Sequence, residues 1–240
     1  MFSYDDAVLA EFPTIRAGLV HARALVNGPS SAGLVAEYES EQRAVAERLA
    51  TTSIAELPSI IAWRRVFTRF GAKPTQYRSA AEALLRRLAK HADIPPINTL
   101  VDIGNLVSIR YAMPVAVFDL AGVTGAISVR FAAGDEQFTD LGSSASVHPQ
   151  PGEVIFVDEA GRVSARRWCW RQSAQSATTD ATVDAVLIVE GHHEAGAADA
   201  KAATDDIVAL LRRYQPDSAV HSSQIAPRQG DGLTWLVIDH

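Results

Sequence analysis

The chain of 240 residues has a single cysteine, Cys169, and no stretch of eighteen consecutive apolar residues. One cysteine cannot form a disulfide within the chain, which argues against a secreted disulfide scaffold. Without a long apolar stretch, the sequence predicts no transmembrane helix. Its first residues also lack the basic start and apolar core of a signal peptide. We therefore expect a cytoplasmic protein with no membrane partner.

The short motifs of many nucleophilic and cofactor-dependent enzymes are also missing. There is no Gly-x-Ser-x-Gly, no P-loop, no Rossmann glycine pattern and no Cys-x-x-Cys. Cys169 lies between two tryptophans and is expected to be a buried structural thiol. His192 and His193 are adjacent, so on an extended chain their side chains point apart, and no third ligand is spaced near them. The sequence thus predicts neither a metal site nor a cofactor.

The composition is that of a globular protein, with 48% hydrophobic and 21% charged residues. The length allows one large domain or two small ones. The net charge of −6 argues at first against a nucleic-acid partner, and DNA is not expected.

The charge is unevenly distributed, however. Residues 61–90 carry eight basic side chains and one acidic one, Glu82, which makes this window +7. The basic residues are Arg64, Arg65, Arg69, Lys73, Arg78, Arg86, Arg87 and Lys90. A second basic cluster, Arg162, Arg166, Arg167 and Arg171, has no acidic residue within it. Such clusters are either solvated surface or a phosphate-binding stripe on an otherwise acidic protein.

The residue patterns predict helices in the first half and strands in the second. Helices are expected over 33–50, from Pro58 to about 70, from the capping box Ser79-x-x-Glu82, over 98–111 and over 204–214. The predicted strands are Val115–Phe118, Ala126–Phe131, Val154–Val157, Val163–Trp168, Ala185–Val189 and Leu233–Ile238. Residues 191–203 read as a loose connection. If the last strand rejoins the sheet, residues 1–240 form one α+β domain.

Three polar features are candidates for a site. Asn98, Asp102 and Asn105 form a stripe on one helix, which is either a capped, internally bonded edge or the wall of a pocket. Residues 171–180 form a polar loop that is either plain surface or a binding loop. Glu190 ends an apolar strand, where a carboxylate is either solvated or placed at a pocket rim.

Several of these segments together resemble a known family. Residues 100–108 (Leu-Val-Asp-Ile-Gly-Asn-Leu-Val-Ser), Met113-Pro114 and Val117-Phe118-Asp119 resemble the B3/B4 editing domain of the phenylalanyl-tRNA synthetase beta subunit. The family pattern is Val-Asp-x-Thr-Asn followed by Pro-Met-His-Ala-Phe-Asp. Further segments resemble the free-standing B3/B4 proteins. They are Trp63-Arg64, Phe67, Gly71, Lys73-Pro74, Arg78-Ser79, Gly152-Glu153, Asp158 and Trp168-x-Trp170-Arg171-Gln172. The resemblance covers residues 55–190.

The resemblance implies an α+β fold in which a helical N-terminal half packs on a mostly antiparallel sheet or sandwich. It further implies a deacylase that removes a wrongly attached amino acid from tRNA in trans. Asn105 and Glu190 then take the catalytic positions. The implied substrate pocket contains Asp102, Gly104, Ala116, Trp170, Arg171, Gln172 and Ser173, and the basic residues of the 61–90 window bind the aminoacylated acceptor end of tRNA.

The sequence departs from the family pattern at the pocket. Gly104 stands where the family has threonine, and Ala116 where it has histidine. The family's glycine-rich segment aligns with the bulky residues Trp168–Gln172. These changes favour an amino acid smaller than tyrosine. Because the aminoacyl ester is already activated, positioned water, backbone N–H groups and the neighbouring ribose hydroxyl can suffice without a nucleophile or a metal.

Two other interpretations stay open from the residues alone. The missing histidine is compatible with a non-catalytic module that binds tRNA or an amino acid. The pocket is also compatible with a hydrolase of another amino-acid ester or amide.

Overall fold

Two large β-sheets form the centre of this computed structural model, which describes residues 2–225. The strands are β1 (Phe2–Tyr4), β2 (Arg16–Arg23), β3 (Val115–Asp119), β4 (Ile127–Phe131), β5 (Phe138–Thr139), β6 (Ser146–Val147), β7 (Val154–Asp158), β8 (Val163–Arg166), β9 (Arg171–Gln172), β10 (Asp184–Gly191) and β11 (Ala219–Ile225). The five-stranded sheet has the order β1-β4-β7-β8-β9 and the four-stranded sheet the order β11-β2-β10-β3. Strands β5 and β6 form a small separate pair.

The pairing within the sheets is mostly antiparallel. β2 and β10 pair along their full length, from Arg23 opposite Asp184 to Arg16 opposite Gly191. β1 is the exception, because it runs parallel to β4. This parallel pair brings the N-terminal segment beside a strand more than a hundred residues later in the chain.

The helices are α1 (Asp6–Glu11), α2 (Ala32–Thr51), α3 (Pro58–Arg69), α4 (Ala80–His91), α5 (Thr99–Tyr111) and α6 (Gly196–Tyr214). Side chains cap several of their first turns, as Ser79 does for α4 and Asn98 for α5 by accepting hydrogen bonds from backbone N–H groups. Among residues 2–225, no helix has the length and apolar character needed to cross a bilayer.

The four-stranded sheet lies between two apolar cores. Because side chains alternate along a strand, Ala185, Leu187 and Val189 of β10 face the helices. The residues between them, Val186 and Ile188, face the five-stranded sheet. The architecture is therefore a helical layer, a four-stranded sheet and a five-stranded sheet, in that order.

The structure confirms an α+β fold and corrects several details of the predicted pattern, which contains no strand at β5, β6, β9 or β11. β1 and β2 lie in the half that reads as helical; β2 includes Gly18, where a Cβ would overlap the side chain of Thr204, so glycine lets α6 approach closely. Helix α6 begins at Gly196 and not near 204, because the alanine-rich segment forms helix readily. β8 ends at Arg166, two residues early. The predicted strand Leu233–Ile238 lies outside the described residues.

Candidate active site between the two sheets

A small cavity of about 70 Å³ lies between the two sheets. Apolar and aromatic side chains form most of its wall, and three polar side chains reach it. These polar residues are Arg171, Gln172 and Glu190, and the aromatic ones are Phe118, Phe156, Trp168 and Trp170. A cavity of roughly 150 Å³ holds benzene, so this space accepts only a few heavy atoms unless its walls move.

Glu190 is the buried acid of this cavity, with 2% of its surface exposed. Its Oε1 accepts hydrogen bonds from Tyr4 Oη at 2.5 Å and from Trp168 Nε1 at 2.9 Å. Within residues 2–225, no hydrogen bond to Oε2 is formed. One carboxylate oxygen is therefore fixed by the protein, and the other keeps its lone pairs for a molecule in the cavity.

The environment of Glu190 makes its carboxyl group titrate near neutrality. Burial raises its pKa, and the hydrogen bonds from Tyr4 and Trp168 lower it, with a result of about 7. Both the protonated and the ionised form are then populated at neutral pH. A group of this kind can take a proton and return it during one reaction cycle.

Trp168 reaches Glu190 because the backbone turns sharply after β8. Arg167 and Trp168 both have positive φ, 45° and 59°, a conformation that non-glycine residues rarely adopt. The turn is held by a hydrogen bond from the Trp168 N–H to the Val154 carbonyl at 2.6 Å. It directs the indole between the sheets, which explains why the predicted strand 163–168 stops at Arg166.

Four residues expected in the substrate pocket do line this cavity together with Glu190: Ala116, Trp170, Arg171 and Gln172. Gln172 is anchored there, since its Nε2 donates to the carbonyls of Val117 and Ser176 at 2.6 and 3.0 Å. Ser173, also expected there, is fully buried beside the cavity, and its Oγ donates to the Thr139 carbonyl at 3.2 Å.

The structure does not bring Asp102, Gly104 and Asn105 to Glu190. All three belong to α5, which packs on the helical face of the four-stranded sheet, whereas Glu190 points to the opposite face. Asp102 is fully buried and accepts from Ser30 Oγ at 2.5 Å and from the Ile97 N–H at 2.9 Å. It thus ties α5 to neighbouring loops, and the expected pairing of Asn105 with Glu190 in one site is not formed.

The basic window of residues 61–90 lies on α3, α4 and the segment between them. Three of its arginines surround the one acid, Glu82, which is 1% exposed: Arg64 at 2.6 Å, Arg86 at 2.8 Å and Arg78 at 3.8 Å. A further arginine, Arg69, pairs with Glu11. The remaining four, Arg65, Lys73, Arg87 and Lys90, are exposed and have no carboxylate partner within residues 2–225. α4 begins at the cavity, because Ala80 is one of its lining residues.

The second basic cluster is largely neutralised by acids from other segments. Arg166 and Arg167 both pair with Glu153, at 2.7 and 2.8 Å. Arg171 pairs with Asp140, and Arg162 with Asp158. Although the local sequence contains no acid, every arginine of the cluster has an acidic partner in the fold, and Arg166 and Arg167 share Glu153.

Comparison with known proteins assigns the chain to a family. A family model described as the B3/4 domain matches residues 62–220, more than half of the chain. The chain belongs to the B3/4 domain family. This B3/4 protein is 33% identical to the phenylalanine–tRNA ligase beta subunit of Shewanella oneidensis over 86 residues, which is 36% of the chain and 11% of that relative. With the same subunit of Chromobacterium violaceum it shares 32% identity over 78 residues, 32% of the chain and 10% of the relative.

The chain therefore spans about a tenth of the length of these curated relatives. Among solved structures, an N-terminal fragment of the phenylalanyl-tRNA synthetase beta subunit from Pyrococcus horikoshii is similar, with a TM-score of 0.45 and 11% identity. That similarity covers 92% of this chain and 50% of the fragment.

The departure of this B3/4 protein at Gly104 has a packing explanation. A Cβ at Gly104 would lie 2.7 Å from Cγ2 of Val117 and 3.6 Å from Cγ1 of Val115. The family pattern has threonine at position 104 and alanine at position 117. In this chain the helix has the smaller residue, Gly104, and the strand has the larger one, Val117. Gly104 thus fits the sheet beneath α5 and does not widen the cavity between the sheets.

At the other departure, Ala116 presents only a methyl group to the cavity, and within residues 2–225 no histidine lines it. Cys169 lines the same cavity, and burial followed by the nearby Glu190 charge raises the pKa of its thiol well above the usual value. A thiol held in its protonated form is a poor nucleophile. Glu190 is therefore the titratable group of this B3/4 cavity that is suited to proton transfer.

The two adjacent histidines of the B3/4 protein point to different partners. His192 lies among aromatic rings, its Nδ1 is 3.1 Å from Thr14 Oγ1, and burial lowers its pKa to about 3. His193 instead pairs through Nε2 with Asp199 at 2.7 Å. Within the described part of the chain, no group of three His, Cys, Asp or Glu side chains is arranged to hold a metal ion.

Tyr4, Trp168 and Phe156 belong to the site but are not among the residues expected there, and Tyr4 has the weakest signal in the sequence. It belongs to a strand of three residues, which is too short for a periodic pattern. Its partner Glu190 is 186 residues away in sequence. Only the alternation of apolar Phe2 and Tyr4 around Ser3 signals that this segment is half-buried.

Proposed function

We propose that this protein hydrolyses the ester bond between a small amino acid and tRNA. The observation that carries the proposal is the cavity between the sheets. It combines a volume of about 70 Å³ with a buried carboxyl group, Glu190, whose pKa is about 7 and whose Oε2 has no protein partner within the described residues. The curated relatives are tRNA ligase subunits by name, which supports tRNA as the substrate class.

In the proposed reaction, Glu190 accepts a proton from water as the water oxygen attacks the ester carbonyl. The bond from that carbon to the ribose oxygen then breaks, and the proton passes from Glu190 to the leaving oxygen. Tyr4 and Trp168 hold Oε1 in place by hydrogen bonds. The Glu190 side chain is therefore held in one rotamer, and Oε2 is oriented before the substrate binds. Asn105 has no contact with substrate in this scheme, since it lies across the sheet.

The size of the cavity selects the amino acid. Trp168, Phe118 and Phe156 border the space and are each fully buried, so they cannot move aside without disturbing the core. A phenol ring does not fit into 70 Å³. We therefore infer a substrate with a side chain of at most a few heavy atoms, such as alanine, serine or threonine.

The basic surface supplies the tRNA-binding part of the proposal. Arg65, Lys73, Arg87 and Lys90 carry charges that no carboxylate within residues 2–225 neutralises. Because α4 starts at the cavity and carries Arg87 and Lys90 along its length, an acceptor strand bound along α4 would end at Glu190. Phosphate contacts of this kind weaken steeply with salt.

The decisive experiment incubates the protein with a panel of tRNAs mischarged with alanine, serine, threonine, valine and tyrosine. We expect deacylation of one or more small members and none of tyrosine. Glu190→Gln should slow it about 100-fold, since general-base catalysis contributes on this order. Arg87→Glu with Lys90→Glu should raise KM and lower the salt dependence by about two units of log–log slope, with the chemical step unchanged. Arg43→Glu is the matched control, because Arg43 is an exposed arginine of α2 outside this surface.

Each alternative function has its own outcome in the same experiment. Saturable tRNA binding without loss of any ester would replace the hydrolase by a binding module. Hydrolysis of a small amino-acid ester that ignores tRNA and the Arg87/Lys90 reversal would point to a different esterase. Full activity of Glu190→Gln would overturn the catalytic assignment.

A further inference from the structure

The side chain of Gln172 points from the five-stranded sheet into the cavity between the sheets. In the antiparallel pair of β8 and β9, Gln172 lies opposite Ala165. Directly opposed residues of such a pair have their side chains on the same face of the sheet. Ala165 is buried in the core between the sheets and lines the cavity. Gln172 is therefore directed into the same space, and it lines the cavity as well.

The hydrogen bonds of the Gln172 amide determine which of its atoms stays available. Nε2 donates to the carbonyl oxygens of Val117 and Ser176 at 2.6 and 3.0 Å. Because both partners can only accept, the nitrogen of the amide must occupy this position. Oε1 accepts no hydrogen bond within residues 2–225 and keeps accessible surface. The side chain is thus fixed by its donor end and presents an acceptor.

The acid of the cavity presents a second acceptor. Glu190 Oε2 forms no hydrogen bond within residues 2–225 and is also accessible. In the described part of the chain no basic side chain forms an ion pair with Glu190, whereas Arg171 at the rim is neutralised by Asp140. Ionised Glu190 is therefore the uncompensated charge of the lining. Two acceptors and a negative charge favour a ligand group that donates hydrogen bonds and is positively charged.

An aminoacyl ester contains one group with both properties, the α-ammonium. When the amino acid is alanine, this group is also the only hydrogen-bond donor of the aminoacyl part, because the ester and the methyl side chain cannot donate. An ammonium group is costly to bury unless acceptors and a counter-charge surround it. A site that provides an acceptor for a donor group of the substrate rejects an analogue that lacks the donor, since the acceptor then stays without a partner.

We propose that Gln172 Oε1 accepts a hydrogen bond from the α-ammonium group of the substrate, so that the cavity selects esters with a free amino group. This inference rests on the proposed deacylation and adds a substrate-binding residue to it. Gln172 holds the amino end of the aminoacyl group, while Glu190 acts on the attacking water. Esters with an acylated nitrogen, such as peptidyl-tRNA, are excluded, because acylation removes the positive charge and two of the three N–H donors.

Binding of analogues that cannot be hydrolysed tests this recognition apart from catalysis. The probes are 3′-amino-3′-deoxyadenosine acylated on its 3′ nitrogen with alanine, serine or isobutyric acid. The isobutyryl group has the shape of alanyl with a methyl group in place of the ammonium. We expect the full chain to bind the alanyl probe about tenfold more tightly than the isobutyryl probe, as for a hydrogen bond to a charged group. Isothermal titration calorimetry measures both affinities.

Two variants separate recognition of the ammonium group from the structural role of the amide. Gln172→Lys keeps a donor for the carbonyls of Val117 and Ser176 but has no acceptor, and Gln172→Leu removes both. Each should weaken binding of the alanyl probe about tenfold and leave that of the isobutyryl probe nearly unchanged. Gln175→Leu, at an exposed position of the same loop that does not line the cavity, is the matched control and should change neither affinity. Thermal unfolding verifies that the variants are folded.

Three results would overturn the inference. In the first, the alanyl and isobutyryl probes bind equally or neither binds. In the second, both Gln172 variants weaken the two probes to the same extent, which is the result expected of a purely structural role. In the third, Gln172→Leu weakens the seryl probe but not the alanyl probe, which would place the amide at the side chain of the amino acid.

Hydrolysis assays separate a failure of this inference from a failure of the proposed function. If mischarged tRNAs are deacylated but Gln172→Lys slows alanyl-tRNA and N-acetylalanyl-tRNA equally, the deacylase stands and recognition by Gln172 is wrong. If the alanyl probe binds selectively but no mischarged tRNA loses its ester, recognition of the ammonium group stands and the deacylase is wrong.

Discussion

At the scale of single residues, the burial of Glu190 has a stability cost as well as a chemical use. Its pKa in the folded protein is about 7, above the usual value for glutamate, so folding favours the protonated form. The stabilisation that this gives is complete below pH 4 and is lost as the pH rises through 7. Near neutral pH the ionisable side chain of Glu190 therefore lowers the free energy of unfolding. A neutral side chain at this position would make the folded protein more stable.

This predicts the effect of Glu190→Gln on stability. The amide keeps an oxygen that accepts from Tyr4 and Trp168 but does not ionise. Between pH 4.5 and 8, the free energy of unfolding of the variant should rise relative to the native protein by about 3 kcal/mol, from the shift of the pKa to about 7. Urea unfolding at a series of pH values measures it. A difference that stays constant with pH would show that Glu190 is not desolvated as the structure indicates.

At the scale of secondary-structure elements, the contact between α5 and β3 depends on one missing side chain. Gly104→Ala should destabilise the protein by about 1 kcal/mol net, because overpacking against Val117 exceeds the gain in helix propensity. Adding Val117→Ala should relieve the clash, so the double variant should be more stable than the sum of the two single effects. Urea unfolding of all four proteins gives the coupling energy.

Gly33→Ala in α2 is the matched control for this cycle. A Cβ there would make only an ordinary contact, 3.5 Å from Tyr214, so the same substitution should stabilise by about 0.5 kcal/mol. A coupling energy of zero between positions 104 and 117 would contradict the explanation that glycine replaces the family's threonine at position 104 because Val117 fills that space.

The link between α3 and α4 rests on Glu82. With Glu82→Gln, Arg64 and Arg86 lose their buried counter-charge, and we expect a loss of about 2 kcal/mol in the free energy of unfolding. This lies below the usual cost of breaking a buried pair because the arginines are 30–43% exposed. Glu39→Gln, which removes an exposed pair at 3.9 Å, is the control and should change stability by less than about 0.5 kcal/mol. Equal effects of the two substitutions would contradict the structural assignment of Glu82.

Elements with local signals are predictable from the sequence, and contacts between distant elements are not. Ser79 and Asn98 mark helix starts through their own side chains, and the Val-Leu-Ile-Val run of β10 marks a buried strand. No local pattern indicates that β1 pairs with β4, although this pairing places Tyr4 on Glu190. The same limit explains Asn105 and Glu190: each is a polar residue beside apolar ones, but only the packing of α5 decides that the sheet separates them.

At the scale of the whole molecule, the four-stranded sheet belongs to both cores. Its helical face packs with α5 and α6, and its other face packs with Trp63 and Trp168. Because the same strands contribute to both, neither core can lose its sheet while the other stays intact. The described residues should therefore unfold as one cooperative unit, in keeping with a single domain.

Equilibrium unfolding in urea tests this cooperativity with two probes. Two of the four tryptophans, Trp63 and Trp168, are 1% and 0% exposed in the core between the sheets, so their fluorescence reports on that core. Far-ultraviolet circular dichroism reports chiefly on the helices. The two transitions should coincide, and Gly104→Ala, which strains only the helical side, should shift both midpoints equally. If fluorescence changed at a lower urea concentration than the helical signal, or if Gly104→Ala moved only one curve, the two cores would be separate units. The proposed cavity would then lie in a part of the molecule that can open by itself.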